Sequence, residues 1–136
     1  PGLPAVGIPG QPDAPAVTAR PVAVLRLSTG EEAPVDRPIV LGRAPRALGI
    51  DPDEQPLLLA VPSPHHEISS THVEIRPGAG ADHGAAVAVD LGSTNGTVVT
   101  VPGLPPEALR PGIPVQLLPG AVVDIGDGLT IEVIHP

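Results

Sequence analysis

The 136-residue chain contains no cysteine, methionine, phenylalanine, tyrosine or tryptophan. Without cysteine it can form neither a disulfide framework nor a thiolate metal site, and it has no thiol nucleophile. Without aromatic side chains it cannot stack bases as proteins that bind single-stranded nucleic acid do. Lysine is also missing, so the seven cations are all arginine, against 15 acidic residues and a net charge of −8. This charge balance argues against nucleic acid as a partner.

Long hydrophobic runs are absent as well. No apolar run reaches the ~20 residues that a membrane-spanning helix needs, and no signal-peptide pattern is present. The sequence therefore predicts no association with a membrane. Because the chain starts at Pro1, we expect it to be a piece of a longer protein.

The apolar residues that are present are Val, Leu, Ile and Ala, and 21 Pro and 16 Gly interrupt them. Val and Ile favour strands, whereas frequent Pro and Gly prevent long helices. Residues 1–19 mix Pro, Gly and Ala without a period, which is typical of a flexible linker. Residues 20–136 alternate short apolar runs with turn signals, which predicts one all-β sandwich domain. The ten predicted strands cover residues 22–27, 33–35, 38–43, 56–61, 71–76, 85–91, 97–101, 115–118, 121–126 and 129–134.

Three loops between these strands offer small polar residues next to a strand end. They are Gly42-Arg43, Ser69-Ser70-Thr71-His72 and Ser93-Thr94-Asn95-Gly96. Asn95 is the only asparagine of the chain, and it directly precedes a glycine. Taken singly, a Gly-Arg pair, a Ser-rich loop and an Asn-Gly hairpin turn are ordinary loop features.

In this order and among β-strands, the three loops resemble those of the forkhead-associated (FHA) domain, of a bacterial, actinobacterial-like type. That family carries Gly-Arg, Ser-x-x-His and Asn-Gly on loops at one end of an eleven-stranded β-sandwich. The stretches ISSTHVEI (68–75), DLGSTNGT (90–97) and LLPGAVVDIGDGLTIEVI (117–134) are also similar to the family pattern. The resemblance covers about residues 21–136 and implies a sandwich of about eleven strands.

The resemblance implies a non-catalytic module that binds phosphothreonine peptides in Ser/Thr-kinase signalling on the cytoplasmic side. It assigns the phosphate to Arg43, Ser69 and Ser70, which suits a guanidinium able to bind phosphate oxygens bidentately. It places Thr94 and Asn95 along the peptide, where the Asn95 amide offers both a donor and an acceptor to the peptide backbone. The implied partner is a kinase substrate or the kinase itself, and no cofactor is implied.

The same resemblance gives structural roles to three further residues. His72 would form hydrogen bonds within the loops that shape the site, Gly42 would allow close backbone approach, and Gly96 would supply a positive φ. One feature departs from the family pattern: 25 residues separate Arg43 from Ser69, which indicates an insertion within residues 44–66.

The linker contains one threonine, Thr18. If it were phosphorylated, Thr18 would be a candidate ligand for the chain's own site, because a short linker gives a millimolar effective concentration.

Four other interpretations of the sequence are possible. Ser69 and His72 suggest a serine hydrolase, but a strand start would point them to different faces, and no acid orients the His. His65, His66, Glu67 and His72 are possible zinc ligands without a recurrent spacing. The run 124–128 looks like a calcium loop but lacks the further ligands, so a turn is expected. The main alternative is a phosphate-independent scaffold that uses the same sandwich for protein contacts.

Overall fold

The computed structural model describes residues 20–136. The predicted linker, residues 1–19 with Thr18, lies outside the described residues. Eleven β-strands and two 3-10 turns, Pro52–Glu54 and Gly80–Asp82, make up the regular structure. The strands are β1 Val24–Leu27, β2 Glu32–Pro34, β3 Ile39–Gly42, β4 Leu57–Ala60, β5 Val73–Pro77, β6 Ala86–Asp90, β7 Val98–Thr100, β8 Glu107–Ala108, β9 Val115–Leu117, β10 Val122–Gly126 and β11 Leu129–Ile134.

The strands form two sheets, so the prediction of an all-β sandwich of about eleven strands is confirmed. One sheet has the order β2-β1-β11-β10-β7-β8, and the other has the order β4-β3-β5-β6-β9. Neighbouring strands pair antiparallel, except β3 and β4, which are parallel. The core between the sheets consists of aliphatic side chains. Alternate residues along β3, Ile39 and Leu41, point into this core and are fully buried, as the period of two along a strand requires.

Ten of the eleven strands lie where the apolar runs predict them. The missed strand, β8, has only two residues, both exposed, and follows a Pro-rich turn, so no apolar alternation marks it. The run at residues 56–61 is typical of a buried strand, and this prediction is wrong. It forms the edge strand β4, in which Leu57 and Leu59 pack against the core while Leu58, on the opposite face, is 42% exposed.

Within the predicted insertion 44–66, the first 3-10 turn reaches the outer face of the second sheet at β5. Glu54, in the first 3-10 turn, forms an ion pair with Arg76 of β5 at 3.2 Å, and Arg76 also pairs with Glu74. Val40 pairs in register with Glu74 and lies opposite the core face of β3, yet Val40 is fully buried. The insertion therefore contributes an ion pair on the outer face of this sheet.

Strand direction brings the three motif loops to one end of the sandwich. Leu41, near the end of β3, pairs with Val73 at the start of β5, and Val73 pairs with Asp90 at the end of β6. The end of β3, the start of β5 and the end of β6 therefore lie at the same end of the sandwich. The loops that follow Gly42, precede Val73 and follow Asp90 are consequently neighbours.

Candidate functional site

The Gly-Arg loop lies directly against the Ser-x-x-His loop. The backbone N–H groups of Arg43 and Ala44 donate to the carbonyls of Ser69 and Ser70, both at 3.0 Å. A Cβ atom built on Gly42 would lie 2.0 Å from the Ser70 carbonyl oxygen. Because no side chain fits in that space, glycine at position 42 is required for the two backbones to meet.

This backbone contact fixes the orientation of the exposed Arg43 side chain. Its Nε donates a short hydrogen bond to the carbonyl of Ile68, and its Nη2 lies 3.3 Å from Ser70 Oγ. A guanidinium carries five N–H donors in a planar fork. With Nε held by a backbone carbonyl, the Nη groups are directed along the Ser70 side of the loop.

His72 joins the second loop to the third. It is fully buried, its Nδ1 accepts from the Ser69 N–H at 3.0 Å, and its Nε2 donates to the Gly96 carbonyl at 2.9 Å. An acceptor and a donor on one ring define the neutral tautomer with the proton on Nε2. The expectation that Ser69 and His72 lie on opposite faces of a strand is wrong. Strand β5 begins only at Val73, and the backbone of residues 69–72 curves around the His72 ring instead.

These contacts also bear on the hydrolase and zinc interpretations. Both ring nitrogens of His72 are engaged by backbone groups, so neither is directed at the Ser69 hydroxyl or at a metal. Among residues 20–136, no group of three or more His, Asp or Glu side chains is arranged to hold a metal ion. The run 124–128 contains the β10–β11 turn, in which Asp127 and Gly128 have φ values of 54° and 72°, as a type I′ hairpin requires.

The Asn-Gly loop is built around the carboxylate of Asp90, which is 1% exposed. It accepts from the N–H groups of Gly92 and Ser93, both at 3.0 Å, and from the hydroxyls of Ser93 and Thr97, the latter at 2.6 Å. Burial acts to raise the pKa of Asp90, but the hydrogen bonds from Ser93, Thr97 and Gly92 outweigh it and hold the pKa below its ordinary value. Gly96 has the positive φ of 89° at the end of this loop.

Ser69, Thr94 and Asn95 meet where the second and third loops touch. The Thr94 N–H donates to Ser69 Oγ at 3.0 Å, and Asn95 Nδ2 donates to the Glu67 carbonyl at 2.9 Å. A hydroxyl that accepts one hydrogen bond still has its own proton to donate. The Asn95 side chain is exposed and likewise has its amide oxygen and a second N–H available for further bonds.

A turn of the other sheet clasps the loop before Ser69. The Asp127 carboxylate accepts from the Ser63 hydroxyl and from the N–H groups of His65 and Glu67, at 3.1 and 2.9 Å. The Asp127 N–H donates in return to Glu67 Oε1 at 2.7 Å. Burial acts to raise the pKa of Asp127, but hydrogen bonds from Ser63, Glu67 and His65 hold it below its ordinary value. The carbonyls of Glu67 and Ile68, which hold Asn95 and Arg43, thus belong to a clamped segment.

The structure brings together all eight residues expected at the site, which are Gly42, Arg43, Ser69, Ser70, His72, Thr94, Asn95 and Gly96. Sequence reasoning missed Asp90 and Asp127. Asp90 carried a local signal, since an Asp followed by small polar residues forms an Asx turn. Asp127 carried none, because its partners lie about 60 positions earlier in the chain.

Comparison with known proteins identifies the family to which the chain belongs. A sequence model of the FHA domain matches residues 39–126, more than half of the chain. The chain belongs to the FHA domain family. Among curated proteins, none is similar enough in sequence to count as a match.

Solved FHA domains have the same architecture. One, solved in a structural and functional analysis of phosphothreonine-dependent FHA domain interactions, is 30% identical, with 84% of this chain and 97% of that chain covered and a TM-score of 0.51. The FhaA FHA domain, complexed with the intracellular domain of Rv3910, is 28% identical, with 82% and 98% covered and a TM-score of 0.51. EmbR of Mycobacterium tuberculosis shares the fold at 20% identity and a TM-score of 0.57, with 89% of this FHA chain and 27% of EmbR covered.

No helix within residues 20–136 is both long enough and apolar enough to cross a membrane.

We predict that Asp90→Ala lowers the free energy of unfolding by about 3 kcal/mol, since it removes charged hydrogen bonds and leaves the buried Thr97 hydroxyl without its acceptor. The folded pKa of Asp90 lies below its unfolded value of ~3.9. Its contribution is therefore complete above pH ~4 and is lost as the pH falls through the folded pKa.

Urea unfolding followed by far-ultraviolet circular dichroism measures this difference, because the chain has no Trp or Tyr to report by fluorescence. The gap in the free energy of unfolding between wild type and Asp90→Ala should narrow as the pH is lowered from 6 to below ~4. A gap that stays constant over that range would contradict the assignment of the effect to the charged carboxylate.

We predict that Asp127→Ala accelerates amide hydrogen exchange several-fold at His65, Glu67 and Ile68, because the first two lose their acceptor and Ile68 bonds Ser63 Oγ, which Asp127 holds. Asp124→Ala is the matched control. Asp124 lies in the same hairpin, but its carboxylate accepts from Gly126 at 2.9 Å. Equal acceleration in both variants would mean that disturbance of the hairpin, and not the loss of the Asp127 hydrogen bonds, causes the faster exchange.

Proposed function

We propose that residues 20–136 are a non-catalytic FHA domain that binds phosphothreonine peptides as an adaptor in Ser/Thr-kinase signalling. The observation that carries the proposal is the placement of one guanidinium and two serines on loops whose backbones are bonded to each other. The Arg43 N–H bonds the Ser69 carbonyl at 3.0 Å, and Arg43 Nη2 lies 3.3 Å from Ser70 Oγ. Arg43, Ser69 and Ser70 together offer a planar cationic fork and hydroxyl donors, the groups that phosphate oxygens accept from.

The Asn-Gly loop supplies the second half of the proposed contact. Asn95 is held by its hydrogen bond to the Glu67 carbonyl, so its remaining amide groups have a defined direction along the loop edge. An amide that offers both a donor and an acceptor can pair with one peptide unit of an extended ligand. Thr94, exposed beside it, would border the same peptide.

Family membership and two relatives support this function. One of them was solved in an analysis of phosphothreonine-dependent interactions, and the other, FhaA, was solved with the intracellular domain of Rv3910 bound. For this chain, the partner would be a phosphothreonine-containing protein, either a substrate of a Ser/Thr kinase or the kinase itself, in the cytoplasm.

The charge of the whole chain places a condition on this proposal. A net charge of −8 repels a dianionic phosphate at long range. Affinity must then come from donors that are already oriented, since oriented donors lower the cost of ordering the site on binding. The hydrogen bonds that fix Arg43 and Asn95 before a ligand arrives meet that condition.

We expect a degenerate phosphothreonine peptide pool to bind in calorimetric titration, while the unphosphorylated pool gives no heat. Phosphoserine should bind about fourfold more weakly if the γ-methyl is buried, since one buried carbon contributes ~0.8 kcal/mol. Arg43→Ala should weaken binding about 100-fold, which corresponds to the ~3 kcal/mol of a charged hydrogen-bonding group.

Arg26→Ala is the charge-matched control. Arg26 lies on β1 and pairs there with Glu32, so its removal should leave the affinity nearly unchanged. Binding of the unphosphorylated pool, or binding that Arg43→Ala does not weaken, would replace phosphopeptide recognition with the phosphate-independent scaffold.

A further inference from the structure

The Asn-Gly pair of the third loop is chemically reactive as well as conformationally special. In an Asn-Gly sequence the glycine nitrogen can attack the asparagine side-chain carbonyl carbon, because glycine has no Cβ to obstruct the approach. A bond forms between Gly96 N and Asn95 Cγ, the bond from Cγ to Nδ2 breaks, and ammonia leaves with the amide proton. Water then opens the cyclic imide to an aspartate or an isoaspartate. Asn95 is exposed and is the chain's one asparagine, so this reaction has one possible asparagine target.

The loop engages both groups that this reaction needs. The attacking nitrogen, Gly96 N, donates its proton to Ser93 Oγ at 3.0 Å. The group under attack is held from the other side, because Asn95 Nδ2 donates to the Glu67 carbonyl at 2.9 Å. Ring closure requires the amide side chain to rotate towards Gly96 N and that nitrogen to lose its proton, so both hydrogen bonds must break first.

The Ser93 hydroxyl itself is held in place. It donates to the buried carboxylate of Asp90 while it accepts from Gly96, which uses its one proton and one lone pair. The carbonyl of the same residue, Gly96 O, which belongs to the next peptide unit, accepts from His72 Nε2 at 2.9 Å. Gly96 is thus held through both its N–H and its carbonyl by groups whose own positions are fixed.

We propose that Asn95 is a latent deamidation site and that the Ser93 hydroxyl is the group that suppresses the reaction in the folded domain. After deamidation the loop could not form the same hydrogen bonds again. A carboxylate at position 95 only accepts hydrogen bonds, and so does the Glu67 carbonyl, so the hydrogen bond between them becomes a repulsion. The loop that carries the proposed peptide-binding side chain would then lose its tie to the loop before Ser69.

This inference does not depend on phosphopeptide binding, because the chemistry concerns the free domain. The test follows the mass increase that accompanies replacement of the side-chain nitrogen by oxygen, with peptide mapping to residues 90–97. The samples are wild type, wild type unfolded in urea, Ser93→Ala, Ser93→Thr and Thr97→Val, all at 37 °C and mildly alkaline pH. Asn95→Gln is the control for the site of modification and should show no change at this peptide.

We expect the unfolded chain to deamidate fastest. Folded Ser93→Ala should react about fivefold faster than wild type, the factor that corresponds to the loss of one net hydrogen bond. Ser93→Thr keeps a hydroxyl and should restore protection. Thr97→Val removes the other hydroxyl that donates to Asp90 Oδ1 but leaves the Gly96 contact intact, so it should remain close to wild type.

Two results would overturn the proposal. If Thr97→Val accelerates the reaction as much as Ser93→Ala, general loosening of the loop and not the Ser93 contact controls the rate. If folded wild type reacts as fast as the urea-unfolded chain, the loop gives no protection at all. The second comparison needs no variant, so it tests whether the folded loop protects Asn95 even where circular dichroism shows that Ser93→Ala has not folded.

Discussion

A buried, neutral imidazole holds the functional end of this domain together. His72 accepts from the backbone of Ser69 with one ring nitrogen and donates to the backbone of Gly96 with the other. The Ser69 N–H is satisfied within the second loop, whereas the Gly96 carbonyl of the third loop and the His72 Nε2–H satisfy each other only when both loops are in place. A buried polar group left without its partner costs free energy, so neither loop can move independently. Together with the hydrogen bonds from Thr94 to Ser69 and from Asn95 to Glu67, this contact sets the relative positions of Ser69 and Asn95.

The exposed side chains of the site obtain their orientation from buried or clamped groups. Arg43 and Asn95 are bound by the carbonyls of Ile68 and Glu67, two consecutive residues. The Glu67 N–H is bound in turn by Asp127, which comes from the hairpin of the opposite sheet. Groups that meet a ligand on a surface are thus fixed through backbone contacts by residues that do not reach it. Side chains fixed in advance lose less conformational freedom on binding.

The sequence predicts the architecture and the motif residues well, for different physical reasons. Ten strands were found because a buried strand face requires apolar residues at a period of two, whereas β8 is too short and too exposed to show one. The motif residues were found because their order resembles a family, and strand direction then brings them together. The wrong prediction about Ser69 and His72 came from starting β5 two residues early, which replaced a turn with a strand.

Contacts between distant parts of the chain could not be predicted in the same way. Asp127 clasps the segment around Glu67 across about 60 positions, and Glu54 reaches Arg76 across 22. Such pairs depend on how strands and loops pack together in three dimensions. The spacing of residues along the sequence does not determine this packing. Asp90 is intermediate, since its turn is local but its full set of four donors appears only when Thr97 folds beside it.

The Asp127 clasp also means that the functional end is shared by two sheets. A ligand bound by Arg43 and Asn95 would rest on loops of one sheet that are tied to a hairpin of the other, and separation of the sheets would dismantle its site. Any molecule that binds only the assembled form stabilises that form in proportion to its occupancy. If that molecule is the proposed phosphothreonine ligand, the resistance of the sandwich to proteases and to heat would increase with the amount of ligand, and the lifetime of the domain would depend on the phosphorylation state of its partner.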